Sequence, residues 1–128
     1  MLSKKNDVII PASGETALDI ATAACVVSDG VALGGDLNII RSKIDGVFLA
    51  YYLNNYMRFD IAKLAQGSSV IHLYSNHLKI LKISIPSYNE QRKIAGFLAA
   101  IDSKIQQIGA QIEKAETFKQ GLLQQMFV

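Results

Sequence analysis

Apolar residues step by four and by three along the last third of the chain. They are Ile94, Leu98, Ile101, Ile105, Ile108, Ile112, Ala115, Leu122 and Met126, with Lys119 as the one break. A stripe of this period, held over about four heptads, predicts a helix with a coiled-coil seam. Leu98, Ile105, Ile112, Lys119 and Met126 take position a. Ile94, Ile101, Ile108, Ala115 and Leu122 take position d. Ser87 followed by Glu90 predicts a capping box, so the helix should run from about Asn89 to the C-terminus. About 38 helical residues span about 57 Å, whereas a body of 87 residues is roughly 25–30 Å across. No other helix in the chain is long enough to pair with the stripe, so its cover is expected from another molecule or from protein outside this sequence. Gly96, Gly109 and Gly121 interrupt the helix away from the seam. Close approach of a second backbone and simple tolerance explain them equally well.

Before Pro86 the pattern changes. Val8-Ile9-Ile10 ahead of Pro11 reads as a short buried strand, and Ala24 to Ser28 as a second. Asp36 to Arg41 alternates as a half-buried strand does. Gly30, Gly34 and Gly35 mark turns, and Thr16 with Asp19 predicts a short capped helix. A helix is expected from Gly46 to about Met57, with Phe48, Tyr51, Tyr52 and Tyr56 among its apolar positions. Another is expected from about Phe59 to Ala65, ended by Gly67. Val70 to Tyr74 reads as extended and Asn76 to Lys79 as a turn. Leu81, Ile83 and Ile85 alternate as a one-face strand ending at Pro86. The expected fold is a small α/β (α+β) body, residues 1–86, with a mostly antiparallel or mixed sheet. One long coiled-coil helix, residues 87–128, follows it.

At 128 residues, 50% apolar and 19% charged, the chain is one domain in size and neither a disordered tail nor a fibrous repeat. No apolar run approaches the roughly 20 residues of a membrane helix. The start, Met1-Leu2-Ser3-Lys4-Lys5-Asn6-Asp7, is not that of a signal peptide. A cytoplasmic protein without a membrane partner is therefore expected. Cys25 is the one cysteine. It excludes an internal disulfide and reads as a small buried hydrophobe. The net charge of +2 is slight, but residues 41–87 hold six basic and two acidic groups, the one electropositive stretch.

Candidate chemistry is sparse. Gly34-Gly35 lacks the continuation of either nucleotide-binding fingerprint. His72 and His77 have no carboxylate or cysteine to complete a metal set. Ser13-Gly14-Glu15 is no nucleophile elbow. No catalytic residue, metal or cofactor is expected, and the pattern points to a binding or assembly module.

One stretch is more specific. It runs Gln66-Gly67-Ser68-Ser69-Val70-Ile71-His72-Leu73-Tyr74, then Leu78 to Pro86, then Glu90-Gln91-Arg92-Lys93-Ile94. With Phe97-Leu98 and Ile101-Asp102-Ser103-Lys104-Ile105 after it, this order resembles the DNA-specificity subunit of type I restriction–modification systems. Gly34-Gly35-Asp36-Leu37 and Phe48 to Leu53 are similar to the later part of that family's target-recognition domain. The resemblance covers about Val8 to Val128. It implies a non-catalytic subunit that reads double-stranded DNA with two recognition domains held apart by antiparallel spacer helices. It implies methyltransferase and restriction subunits as partners, which carry S-adenosylmethionine, ATP and Mg²⁺ themselves. This chain has one such helix and the later half of one recognition domain, so it is expected to be a fragment. Two copies would then pair antiparallel as a homo-oligomer.

DNA contact needs cations or hydroxyls for phosphates and polar groups for base edges. The candidates on turns are Lys4, Lys5, Ser13, Thr16, Arg41, Lys43, Ser68, Ser69 and His72. Tyr51, Tyr52 and Tyr56 have ring faces for stacking on bases, although helical spacing favours core for them. The competing readings are a helix-pairing module that never touches DNA, and the recognition region of a single-chain restriction–methylation enzyme.

Overall fold

A computed structural model describes residues 1–127. Its elements run β1 (Val8–Pro11), β2 (Ser13–Gly14), α1 (Ala17–Ile20), β3 (Ala24–Cys25), β4 (Leu37–Ile40) and α2 (Gly46–Asn55). They continue with α3 (Arg58–Leu64), β5 (Ile71–His72), α4 (Ser75–Leu78) and α5 (Tyr88–Met126). Contacts divide the chain into two compact units, Met1–Ala95 and a second from Gly96 onward. The α+β class with a long C-terminal helix is as expected from the sequence.

β1 is the centre of a three-stranded sheet of order β3-β1-β4. Val8 pairs with Cys25 on one side and Ile40 on the other, both antiparallel. β1 holds the centre because Val8 and Ile10 are both fully buried, against a core of Ile20, Leu49, Leu53, Met57, Ile61 and Leu73. β2 and β5 form a separate antiparallel ribbon. Asn38 secures β5's end from the sheet, its side-chain amide donating to the Leu73 carbonyl at 2.8 Å.

Caps explain the helix starts. The Thr16 hydroxyl accepts the Asp19 N–H at 3.1 Å, as the sequence predicts for α1. The Asp45 carboxylate accepts the Phe48 N–H at 2.9 Å and opens α2. At the start of α5, the Ser87 N–H and hydroxyl both donate to Glu90 Oε2, at 3.0 and 2.6 Å. These bonds hold the Glu90 carboxyl below its ordinary range. The bond from the Ser87 N–H to Glu90 is one half of a capping box, and it lies at the start of a helix 39 residues long.

Several local expectations change. β3 stops at Cys25, not Ser28. Cys25 is only half-buried, because its place is at the edge of the sheet beneath Gly46. A Cβ at Gly46 would lie 2.7 Å from the Asn6 carbonyl oxygen and 2.8 Å from Cys25 Sγ, so this helix start requires glycine. Gly67 does not end α3, which stops at Leu64 with Ala65 already extended. Gly67 has φ +133°, and a Cβ there would collide with the Val70 carbonyl; it turns the chain towards β5. Residues 76–78 belong to a single helical turn, α4, in place of a plain turn. Leu81, Ile83 and Ile85 form no ladder. Leu81 and Ile83 instead pack against the core. With Leu78, Ile39 and Ile40 they line an apolar cavity of about 370 Å³.

The start of β1 is held by charge. Asn6 takes the left-handed conformation, φ 77°, which asparagine tolerates better than most residues. Asp7 then accepts the Lys4 N–H at 2.7 Å and both Nε and Nη2 of Arg41, at 2.8 and 2.7 Å. The Arg41 guanidinium holds the Asp7 carboxyl down at about 2. A carboxylate with a lowered folded pKa stabilises above its unfolded value, about 3.9, and loses that contribution as pH falls through the folded one. Half-exposed Arg41 screens the pair, so its contribution is on the order of 1–2 kcal/mol. Urea unfolding between pH 5 and pH 2 should show this loss, and Arg41→Gln should abolish most of the dependence below pH 4.

Candidate nucleic-acid interface

The nine sequence candidates for DNA contact lie at opposite ends of the sheet. Lys4 and Lys5 precede β1, and Arg41 and Lys43 follow β4. Because Val8 pairs with Ile40, these four belong to one end. Ser13 and Thr16 follow the other end of β1, where Pro11 pairs with Leu37. Ser13 faces His72 across the β2–β5 ribbon, and Ser68 and Ser69 occupy the loop leading into β5. The four residues of β1 alone separate the two ends by about 13 Å.

Their chemistry separates in the same way. The first end carries cations. Lys4, Lys5 and Lys43 are exposed, while Arg41 is bound through two nitrogens to buried Asp7. The second end carries hydroxyls and rings. The Ser13 hydroxyl donates to the Asp36 carboxylate. Thr16 is committed to its cap and to the Asp19 carboxylate, at 2.5 Å. Ser68 and Ser69 are exposed inside a loop closed by reciprocal backbone bonds between Gln66 and His72, at 2.9 and 2.7 Å.

Sequence reasoning missed the ring cluster beside this loop. Tyr74 is 50% exposed. It stacks on His72 with centroids 6.1 Å apart and meets His77 edge-on at 5.7 Å. The spacing His72-x-Tyr74-x-x-His77 was visible, but it signals a cluster only once α4 curls His77 back. Of the tyrosines considered for stacking, Tyr52 lies half-buried between Phe48 and Tyr56, whereas Tyr56 is 74% exposed.

On α5 the seam residues are exposed at most positions. Ile94 is 41% exposed, Ile101 42%, Ile105 60%, Ile108 47% and Ile112 54%. Ala115, Leu122 and Met126 are exposed too, and Leu98 is half-buried. The first turns of α5 are anchored differently. Gln91 is 4% exposed. Its Oε1 accepts the Asp45 N–H at 3.0 Å and its Nε2 donates to the Pro86 carbonyl at 2.9 Å. One amide thus ties the helix start to the cap of α2.

Residues 2–117 match the family model for the type I restriction modification DNA specificity domain. The chain belongs to this family. A candidate type I restriction enzyme specificity subunit of Methanocaldococcus jannaschii, MjaX, is 34% identical over 91 residues, 68% of this chain and 21% of that protein. A second such candidate, from Haemophilus influenzae, is 35% identical over 100 residues, 74% of this chain and 24% of that protein. The crystal structure of a type I restriction–modification S subunit from M. genitalium shares the fold. Its TM-score is 0.63 at 23% identity, over 88% of this chain and 30% of that one. The chain therefore spans between 21% and 30% of the length of these relatives. Among the described residues, no helix is long and apolar enough to cross a membrane.

The Glu90-Gln91 pair, part of the stretch that resembles specificity subunits, has a physical role in this specificity domain. Glu90 caps the helix and Gln91 anchors it. Gln91→Ala should leave the Asp45 N–H and the Pro86 carbonyl without their partners, at about 1–3 kcal/mol. Urea denaturation should show a lower midpoint at an unchanged slope.

Proposed function

We propose that this chain is a non-catalytic DNA sequence-recognition part of a cytoplasmic type I restriction–modification complex. In this reading α5 pairs antiparallel with a second helix and docks methyltransferase subunits, and catalysis belongs to the methyltransferase and restriction subunits. The observation that carries the reading is the family match over residues 2–117. The split of chemistry between the two ends of the sheet supports it. Lys4, Lys5 and Lys43 suit phosphates, which position a protein on DNA without reading its sequence. Ser68, Ser69, His72 and Tyr74 offer donors, acceptors and a ring face of the kind that read base edges.

The alternative is a helix-pairing module that does not bind DNA. It is favoured by the commitment of Arg41 to Asp7, of Ser13 to Asp36 and of Thr16 to Asp19, which engages three of the nine candidates within the chain.

Fluorescence anisotropy with labelled duplex DNA across a salt series separates the two. The recognition reading expects affinity that falls steeply with salt. Replacing both Lys4 and Lys5 by alanine should lower the slope of log K against log[salt] by about 2, about one unit for each phosphate contact. No binding at low salt leaves the pairing module. The pairing itself is tested by light scattering: Ile105→Asp with Ile108→Asp should convert an oligomer into a monomer.

A further inference from the structure

We infer that the open edge of β4, with the apolar cavity beside it, docks an extended segment of another protein that alternates apolar with acidic side chains. β4 is one margin of the three-stranded sheet, and β3 is the other. The Ala12 N–H donates to the Asp36 carbonyl at 3.1 Å. Antiparallel ladders bond at every second residue, so Asn38 and Ile40 give their backbone groups to β1. Leu37 and Ile39 turn theirs away from it. Among the described residues, no strand pairs with that outward row. Folded proteins blunt such edges with short strands, charge or proline. β3 is blunted by its length of two residues. β4 has four, Leu37-Asn38-Ile39-Ile40, with neither charge nor proline. An unprotected edge is a template for a further strand.

The cavity sets what side chains that strand carries. Its volume of about 370 Å³ is lined by Ile39 and Ile40 of β4 and by Leu78, Leu81 and Ile83 of the segment before α5. This is the lower end of the roughly 300–1,000 Å³ of sites that hold small ligands, room for a few aliphatic side chains of an added strand. The segment does not close the cavity itself, because it is held at both ends. The Leu81 N–H donates to the Leu78 carbonyl at 3.2 Å, and the Pro86 carbonyl accepts Gln91 Nε2 at 2.9 Å. Charge selects the remaining positions. Arg41 and Lys79 line the cavity, and no carboxylate does. Lys82 is exposed between Leu81 and Ile83. Asp7 balances Arg41, so the uncompensated charges are those of Lys79 and Lys82. Glutamate or aspartate flanking the apolar residues of the docked strand meets them. A DNA phosphate also suits two lysines, but it neither fills an apolar cavity nor pairs with the N–H and carbonyl groups of Leu37 and Ile39.

The probe is a synthetic peptide of about seven residues that alternates valine with glutamate, added to the full chain. Amide hydrogen exchange read by NMR should show the Leu37 and Ile39 N–H groups exchanging fast in the free chain and slowing about tenfold or more at saturating peptide. Fluorescence anisotropy should show the same peptide with lysine in place of glutamate binding about tenfold more weakly. Lys79→Glu with Lys82→Glu, both exposed positions, should reverse that order of preference, an outcome that a misfolded variant cannot give. Methylating the backbone nitrogens along one edge of the peptide should abolish binding, since that edge donates to β4. Leu37 and Ile39 amides that exchange slowly without peptide would mean that the chain closes its own edge, and would overturn the inference. So would a peptide that leaves both amides unchanged, or one that binds equally well with lysine. Loss of duplex DNA binding in the doubly reversed chain, with no peptide effect on the two amides, would assign the lysines to phosphates and overturn it as well.

Discussion

A carboxylate with 1% of its surface exposed is tolerated only when its oxygens are bonded, and Asp7 meets that condition through Lys4 and Arg41. Much of the first unit depends on this residue and its neighbour. The Asp7 carbonyl accepts the Val26 N–H at 2.8 Å, and the Asn6 N–H returns a bond to the Val26 carbonyl at 2.9 Å. The Asn6 side chain accepts the Gly46 N–H at 2.6 Å and donates to the Ile44 carbonyl at 2.8 Å. Two adjacent polar residues thus join β1 to the strands on both sides and to the start of α2. The exposed lysines of this end stand on that frame. Arg41 has been drawn into it, so this half-exposed cation of the basic stretch also has a structural role.

The two ends of the sheet separate charge from hydroxyls and rings. Charges gather where a buried acid needs a guanidinium and where turns leave ammonium groups in water. Hydroxyls and rings gather on and beside the ribbon, where β2 and β5 form only a short ladder. A net charge of +2 fits such an arrangement, because few charges are spent and each has a place.

The long helix and its seam were legible because a heptad period persists over many residues and local noise averages out. Thr16, Ser87 and Glu90 were legible because capping depends on neighbours within one turn. The misreadings share a physical cause in long-range partners. Leu81, Ile83 and Ile85 have the alternation of a strand, but alternation says nothing about whether a ladder partner exists, and the segment packs on the core without one. Gly67 follows a helix closely enough to resemble its cap, yet the contact that requires glycine is with Val70, beyond the turn. The ion pair of Arg41 was not legible either, because the buried acid it binds lies 34 residues away. Gln91 stood inside the recognised stretch, but its role appears only when Asp45 and Pro86 are brought to it. Of the candidate site, then, the residue types were readable and their grouping was not.

The loop between Gln66 and His72 is closed by a reciprocal pair of backbone bonds, and its ends are fixed whatever side chains it displays. Ser68, Ser69 and Val70 are exposed and belong to no core cluster. Lengthening a closed loop is inexpensive, about 0.6 kcal/mol for each doubling. The frame can therefore stay constant while the length and the side chains of the loop change.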